Sequence, residues 1–186
     1  MRWLLALAVF WAGLAASATE PTRWRFDPEQ SQARFEVTLR LPIHAEGRFK
    51  TVQGEIDNLP GQKLSVRVHL NSRELHMGGP EWLQKVTESK QFLNSAEYPD
   101  IDFQSTPFSL QMLTSGGEIN GRLTIKDISR DVVFVLEPTQ CRRPGFGCAV
   151  RVGGQLNRRD FAMTAYKWSL RDEVRFSFQL KFTEND

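Results

Sequence analysis

The sequence predicts an all-β protein, an antiparallel sandwich or barrel of about eight strands with one helical excursion near residues 80–93. Apolar residues recur with period two along most of the chain, the mark of strands buried on one face. Gly, Pro and Asn clusters separate the alternating runs, and the strand–helix rhythm of a parallel sheet is missing. The 186 residues, 40% hydrophobic and 25% charged, are too few for two ordinary domains and apolar enough for one core.

The first eighteen residues stand apart from that pattern. Met1 and Arg2 precede the apolar run Trp3–Leu14, and the small triplet Ala16-Ser17-Ala18 follows. This is the form of a cleaved secretory signal peptide. The twelve residues of that run make only about 18 Å of helix against roughly 30 Å of bilayer core, so it reads as a leader rather than an anchor. The expected mature chain is one exported domain, residues 19–186, with no later run long enough to span.

Within that domain Ala33, Phe35, Val37, Leu39 and Leu41 alternate with Gln32, Arg34, Glu36, Thr38 and Arg40. Leu64, Val66, Val68 and Leu70 repeat the pattern, as do Ile119, Gly121, Leu123 and Ile125. The last run, Val174, Phe176, Phe178, Leu180 and Phe182, interleaves with Arg175, Ser177, Gln179 and Lys181. Weaker strands are expected over 48–56, 101–104, 108–113, 132–136 and 149–156. Between 80 and 93 the spacing of Trp82, Leu83, Val86, Phe92 and Leu93 turns helical, and Pro80 suits a first helical position. Ser89 is the expected cap of a second short turn, and Tyr98-Pro99 ends the excursion.

Alternation alone does not say which face is inside. A lipid-embedded barrel turns its apolar set outward. Here aromatics do not gather at strand ends, the chain runs on past its last aromatic, and 2 Tyr stand against 13 Phe. The apolar set is therefore expected inside, as a Phe-rich interior without hydroxyl handles, suited to dry contact. About eight strands enclose a space that side chains fill or that holds one small ligand. The residues alone leave both open.

Cys141 and Cys148 flank the turn Pro144-Gly145, so in an oxidising compartment they are expected to form a disulfide across one hairpin. With 24 basic against 22 acidic residues there is no electrostatic footprint for nucleic acid. A nucleophile elbow, a phosphate loop and a zinc-binding helix motif are all missing, so no enzyme is expected. An exported hydrolase of lipids or amides, using His44 and Glu46 as acid and base, is the catalytic alternative. The three scattered His make no metal site, and Asp100, Asp102 and Gln104 read as one solvent-facing strand face. Arg142-Arg143 and Arg158-Arg159 read as surface charge, with a phosphate-headed ligand or anionic membrane surface as their functional alternative.

The chain also carries, in order, Trp24-x-Phe26-Asp27, Ser31-x-x-x-Phe35-x-Val37, Gly47-x-Phe49 and Gly54-x-Ile56. Ser89–Ser105, with Tyr98-Pro99 and Phe103, comes next, then Gly121-Arg-Leu123-Thr124-Ile125 and Asn157-Arg158-Arg-Asp160-Phe161. Together these resemble the YceI-like family, from about Trp24 to Phe182. Where that family usually has His, this chain has Leu39; where it usually has Gly, this chain has Asp127 and Ala162.

The resemblance implies a lipocalin-like antiparallel β-barrel, a periplasmic location and a binding role with no catalytic centre or cofactor. The implied ligand is an amphiphilic isoprenoid lipid, a prenyl quinone or polyprenyl compound, held in the lumen. Placed on the alternating faces, the expected lining is Phe35, Val37, Phe49, Ile56, Val66, Val68, Phe103, Leu123, Ile125, Phe134, Phe176 and Phe178. Trp82, Val86 and Phe92 are expected as a helical lid, and Arg48, Arg73 and Arg158 as head-group candidates. A ligand-free barrel that modulates a membrane partner is a further alternative. Contact with a membrane surface or membrane protein, and a homodimer, are left open.

Overall fold

The computed structural model describes residues 22–39 and 44–184, so the expected leader lies outside the described residues. Thirteen strands form one antiparallel sheet. They are β1 (Arg23–Phe26), β2 (Gln32–Leu39), β3 (His44–Phe49), β4 (Gln53–Leu59), β5 (Lys63–Asn71), β6 (Leu75–Met77) and β7 (Asp100–Ser105). After these come β8 (Phe108–Ser109), β9 (Gly117–Ile125), β10 (Ile128–Leu136), β11 (Val150–Asn157), β12 (Leu170–Leu180) and β13 (Phe182–Glu184). Two helices interrupt them, α1 (Glu81–Glu88) and α2 (Met112–Ser115).

The sheet order is β13-β1-β4-β5-β7-β9-β10-β11-β12-β2-β3-β6, with β8 beside β5. Only Lys181 separates β12 from β13, so the order returns to its own start and the sheet closes into a barrel. The count exceeds the expected eight or so because kinks divide three long strands and the short β6 and β8 add two more. β1 and β2 run along one side of β12–β13, parted by a bulge at residues 27–31. There Ser31 Oγ accepts from the Lys181 N–H (3.1 Å), the group the bulge unpairs, and donates to the Lys181 carbonyl (3.2 Å), which also accepts from the Asp27 N–H (2.9 Å). The expected strand over 48–56 is split in the same way by residues 50–52, where Val52 is fully buried.

Alternation becomes inside and outside as the barrel closes. Along β12, Val174 and Leu180 are buried and Phe176 and Phe178 half-buried, while Arg175, Ser177 and Gln179 are exposed. A charged outer face is the reverse of a lipid-embedded barrel. All twelve Phe beyond residue 21 are buried or half-buried.

One local expectation is corrected. Residues 108–113 were expected as one strand, yet β8 stops at Ser109 and α2 follows. Gly116 ends α2 at a positive φ (70°) that suits glycine, its N–H donating to the Met112 carbonyl with Leu113 buried beneath it. Ser89 opens the expected second short turn, its carbonyl accepting from the Phe92 N–H at 2.9 Å. Its N–H and hydroxyl both donate to the Val86 carbonyl and close α1. α1 packs Leu83 and Thr87 inward and reaches β6 through Gln84, which accepts from the Met77 N–H (2.7 Å) and donates to the Leu75 carbonyl (2.8 Å). That amide covers the open edge of β6.

The family's usual glycines have a physical reason here. Asp127 (φ 58°) and Ala162 (φ 56°) both adopt the left-handed conformation. With Lys126 (φ 53°), Asp127 makes the two-residue turn joining β9 to β10, a form that Asp tolerates. Ala162 has no such excuse, and its side chain is exposed. Ala162→Gly relieves about 1–2 kcal/mol of strain against about 0.4–1 kcal/mol of added unfolded-state entropy. A net gain of about 0.5–1 kcal/mol is expected from urea unfolding midpoints.

One end of the barrel is sealed. Trp24 and Phe26 stack on Phe182, and Phe146 meets Trp24 and Phe182 edge-on at 5.2 and 5.7 Å. Phe146 comes from the β10–β11 loop, where Cys141 and Cys148 form the expected disulfide. That short closed loop adds about 2 kcal/mol in the chain-entropy picture. At the other end lie α1 and the loop before β12.

Candidate functional site

The inward faces of the strands make a lumen of Val, Ile, Leu and Phe. Side chains fill most of it and leave three voids of about 60, 30 and 60 Å³, in series along β12. The deepest is lined by apolar residues alone, from Phe182 and Leu180 near the sealed end to Phe176. The middle one lies among Phe35, Val37, Phe49, Phe92, Phe161 and Val174, with Arg158 the single charged residue of its wall. The third lies beneath α1, among Leu39, Trp82, Leu83, Val86, Tyr166 and Leu170. Ile101, Ile125, Leu156 and Phe176 border both of the first two, and Phe35, Val37 and Phe92 border both of the last two.

Glycines set the bore of the lumen. Phe35 lies over its cross-strand partner Gly47, where a Cβ would sit 2.3 Å from the ring. Phe134 lies over Gly154 in the same way, at 2.4 Å. Both rings therefore rest flat on the wall instead of reaching to the axis. Six rings form a continuous chain: Phe49 to Phe35 (6.2 Å), Phe176 (5.9 Å), Phe178 (6.4 Å), Phe134 (5.8 Å) and Phe103 (5.1 Å). That chain crosses the partition between the first two voids.

Arg158 was read as surface charge, and the structure corrects this. Its side chain is 0% exposed. The guanidinium donates to the carbonyls of Met163 (2.5 Å), Ala165 (2.6 Å) and Arg171 (3.1 Å), and pairs with Asp172 at 3.0 Å. Burial pushes its pKa below the ordinary value, and Asp172 opposes that shift. The signal was present in the sequence: Val150, Val152, Gly154, Leu156 and Arg158 share one phase of the alternation.

All twelve expected lining residues border a void, and so do the three lid candidates Trp82, Val86 and Phe92. Ile56, Val66, Val68, Phe103, Leu123, Ile125, Phe134, Phe176 and Phe178 lie at the deepest. Phe35, Val37, Phe49 and Phe92 lie at the middle one, and Trp82 at the third. Sequence reasoning missed Ile101, Ile119, Leu156 and Phe161. Ile119 belongs to a recognised alternating run and was within reach; Phe161 sits on a turn, where periodicity says nothing.

Of the three head-group candidates only Arg158 meets the lumen. Arg48 is exposed on the outer face beside Glu46 (2.9 Å), and Arg73 donates to the Ser95 and Ala96 carbonyls. His44 and Glu46 also lie exposed on the outer face of β3, and His44 faces Glu36 at 2.6 Å. They do not form the acid–base pair imagined for a hydrolase.

These features define a class: a closed antiparallel barrel of lipocalin type, apolar inside, plugged by aromatics at one end and covered by a helix at the other. The chain belongs to the YceI-like family, whose domain model matches residues 24–182. Burkholderia cenocepacia BcnA superimposes with a TM-score of 0.66 at 19% identity, over 83% of this chain and 98% of that one. A polyisoprenoid binding domain from Saccharophagus degradans gives 0.64 at 10% identity, over 87% and 98%. The Campylobacter jejuni YCEI protein gives 0.59 at 19%, over 75% and 84%. No curated protein matches the sequence.

Proposed function

We propose that this protein binds the apolar tail of an isoprenoid lipid inside the barrel and carries or sequesters it in the periplasm. The observation that carries the reading is the lumen wall: three voids in series, separated by side chains alone, with Arg158 the only charge in their lining. The family membership and the polyisoprenoid binding domain among its structural neighbours support it.

As packed, each void is smaller than the roughly 150 Å³ that admits a benzene ring. A tail therefore enters only if wall side chains move. Phe176, half-buried and shared by two voids, is the natural one to swing. Each ring pair it breaks is worth about 0.5–1.5 kcal/mol beyond buried area. Burying 100 Å² of tail returns about 2.5 kcal/mol, so a tail of a few isoprene units exceeds that cost. Affinity of this kind is non-directional and selects length and girth more than chemistry.

The small voids favour one competing reading, a filled barrel that acts on a membrane partner without ligand. Organic extraction of the purified protein with mass spectrometry, together with uptake of an added prenyl quinone from detergent, separates the two. Extracted isoprenoid, or saturable uptake near one lipid per chain, supports lipid binding. Neither extract nor uptake leaves the filled barrel.

A further inference from the structure

We propose that the Tyr166-Lys167-Trp168 tip docks the α1-covered end of the barrel onto a phospholipid bilayer. Five large hydrophobic residues are exposed among the described residues, and three cluster here: Trp168 (82%), Trp82 (54%) and Tyr166 (41%). Trp82 and Tyr166 also line the void beneath α1, so the patch runs directly into the lumen.

The tip is built to project. Tyr166 takes a left-handed conformation (φ 58°), unfavourable for a bulky aromatic, and its carbonyl accepts the N–H groups of Ser169 (2.9 Å) and Leu170 (2.8 Å). The chain turns back at once, leaving Lys167 and Trp168 at the apex. Arg158 holds the root of the loop through Met163 and Ala165. Strain and an exposed indole are retained at a site where neither is repaid by packing.

The residue types fit a bilayer interface. Indole and phenol rings have an apolar body and a polar edge, and they partition to the headgroup level. Lys167 lies over the Trp168 ring at 5.7 Å and has no acidic partner among the described residues, so its ammonium is free to meet lipid phosphate while its stem lies along the ring. A protein partner fits less well. Three partly exposed aromatics offer well under the roughly 800 Å² per side of a stable protein interface. Docking deepens the lipid-binding reading, since it sets the lumen's mouth against the phase that holds the lipid.

Co-flotation with phosphatidylethanolamine–phosphatidylglycerol vesicles tests this. Proteins starting at Thr19 keep the whole described barrel and remove the apolar leader as a cause of binding. Wild type is expected to float, and Trp168→Ala to lower the partition coefficient at least about tenfold, given the apolar area of one indole. Lys167→Ala is expected to lower it by less, and only on vesicles containing phosphatidylglycerol. Trp168 is so exposed that the variant's melting temperature should not move. Failure of the wild type to float, or equal flotation by Trp168→Ala, overturns the proposal. Uptake of prenyl quinone from detergent is measured on the same proteins. Uptake without flotation defeats docking alone, and flotation without uptake upholds docking while removing the lumen reading.

Discussion

Phe134→Ala is expected to destabilise the protein by about 3–4 kcal/mol and to make its stability depend more strongly on added prenyl lipid than that of wild type. Phe134 is 4% exposed, lies flat over Gly154 and meets Phe103 and Phe178 edge-on. Its removal costs the ring's transfer energy and two aromatic contacts, and it enlarges the deepest void, which Phe134 lines. In an ordinary core that space stays a defect. In a tail-binding lumen it becomes room for ligand, and lipid at a hundred times its dissociation constant restores about 2.7 kcal/mol. Urea unfolding with and without prenyl quinone in detergent reads both numbers. Equal destabilisation in the two conditions would show the interior to be packing alone.

Arg158→Met is the second large effect, a loss of about 3–4 kcal/mol concentrated in the loop before β12. Methionine fills much of the same volume, so little cavity is made. What goes are three charge-assisted hydrogen bonds to the carbonyls of Met163, Ala165 and Arg171, each worth about 1.5–3 kcal/mol. The guanidinium's own desolvation penalty disappears with it and offsets part of that loss. Asp172 keeps Arg159 beside its Oδ2 at 3.5 Å, but the Oδ1 that faces Arg158 is buried and adds to the loss. Hydrogen exchange should therefore show protection lost first across 162–171, with trypsin cutting earlier at Lys167 and Arg171. A uniform loss over the whole barrel would mean that Arg158 supports the fold generally and does not clamp this loop.

Much of the fold was legible because a barrel wall obeys one simple rule. Runs such as Phe35–Val37 and Val174–Phe182 carry their inside and outside in period two, and the structure honours that phase even at Arg158. The kinks were not legible. The kink at 50–52 is held by Glu74, in the turn before β6, and the bulge at 27–31 by Lys181, both distant in sequence. Short turns such as α2 escaped for a related reason, because four residues carry too little periodicity to reveal a helix.

The sequence by itself determined an all-β domain with an apolar, Phe-rich interior and a disulfide-closed hairpin, because alternation and turn chemistry are local properties of the chain. Only the tertiary structure decided how much of that interior is space. A Phe that fills a lumen and one that lies flat against its wall look alike in sequence. The difference is a glycine on the facing strand, as Gly47 is to Phe35 and Gly154 to Phe134. Cross-strand register, which no single segment encodes, brings those pairs together.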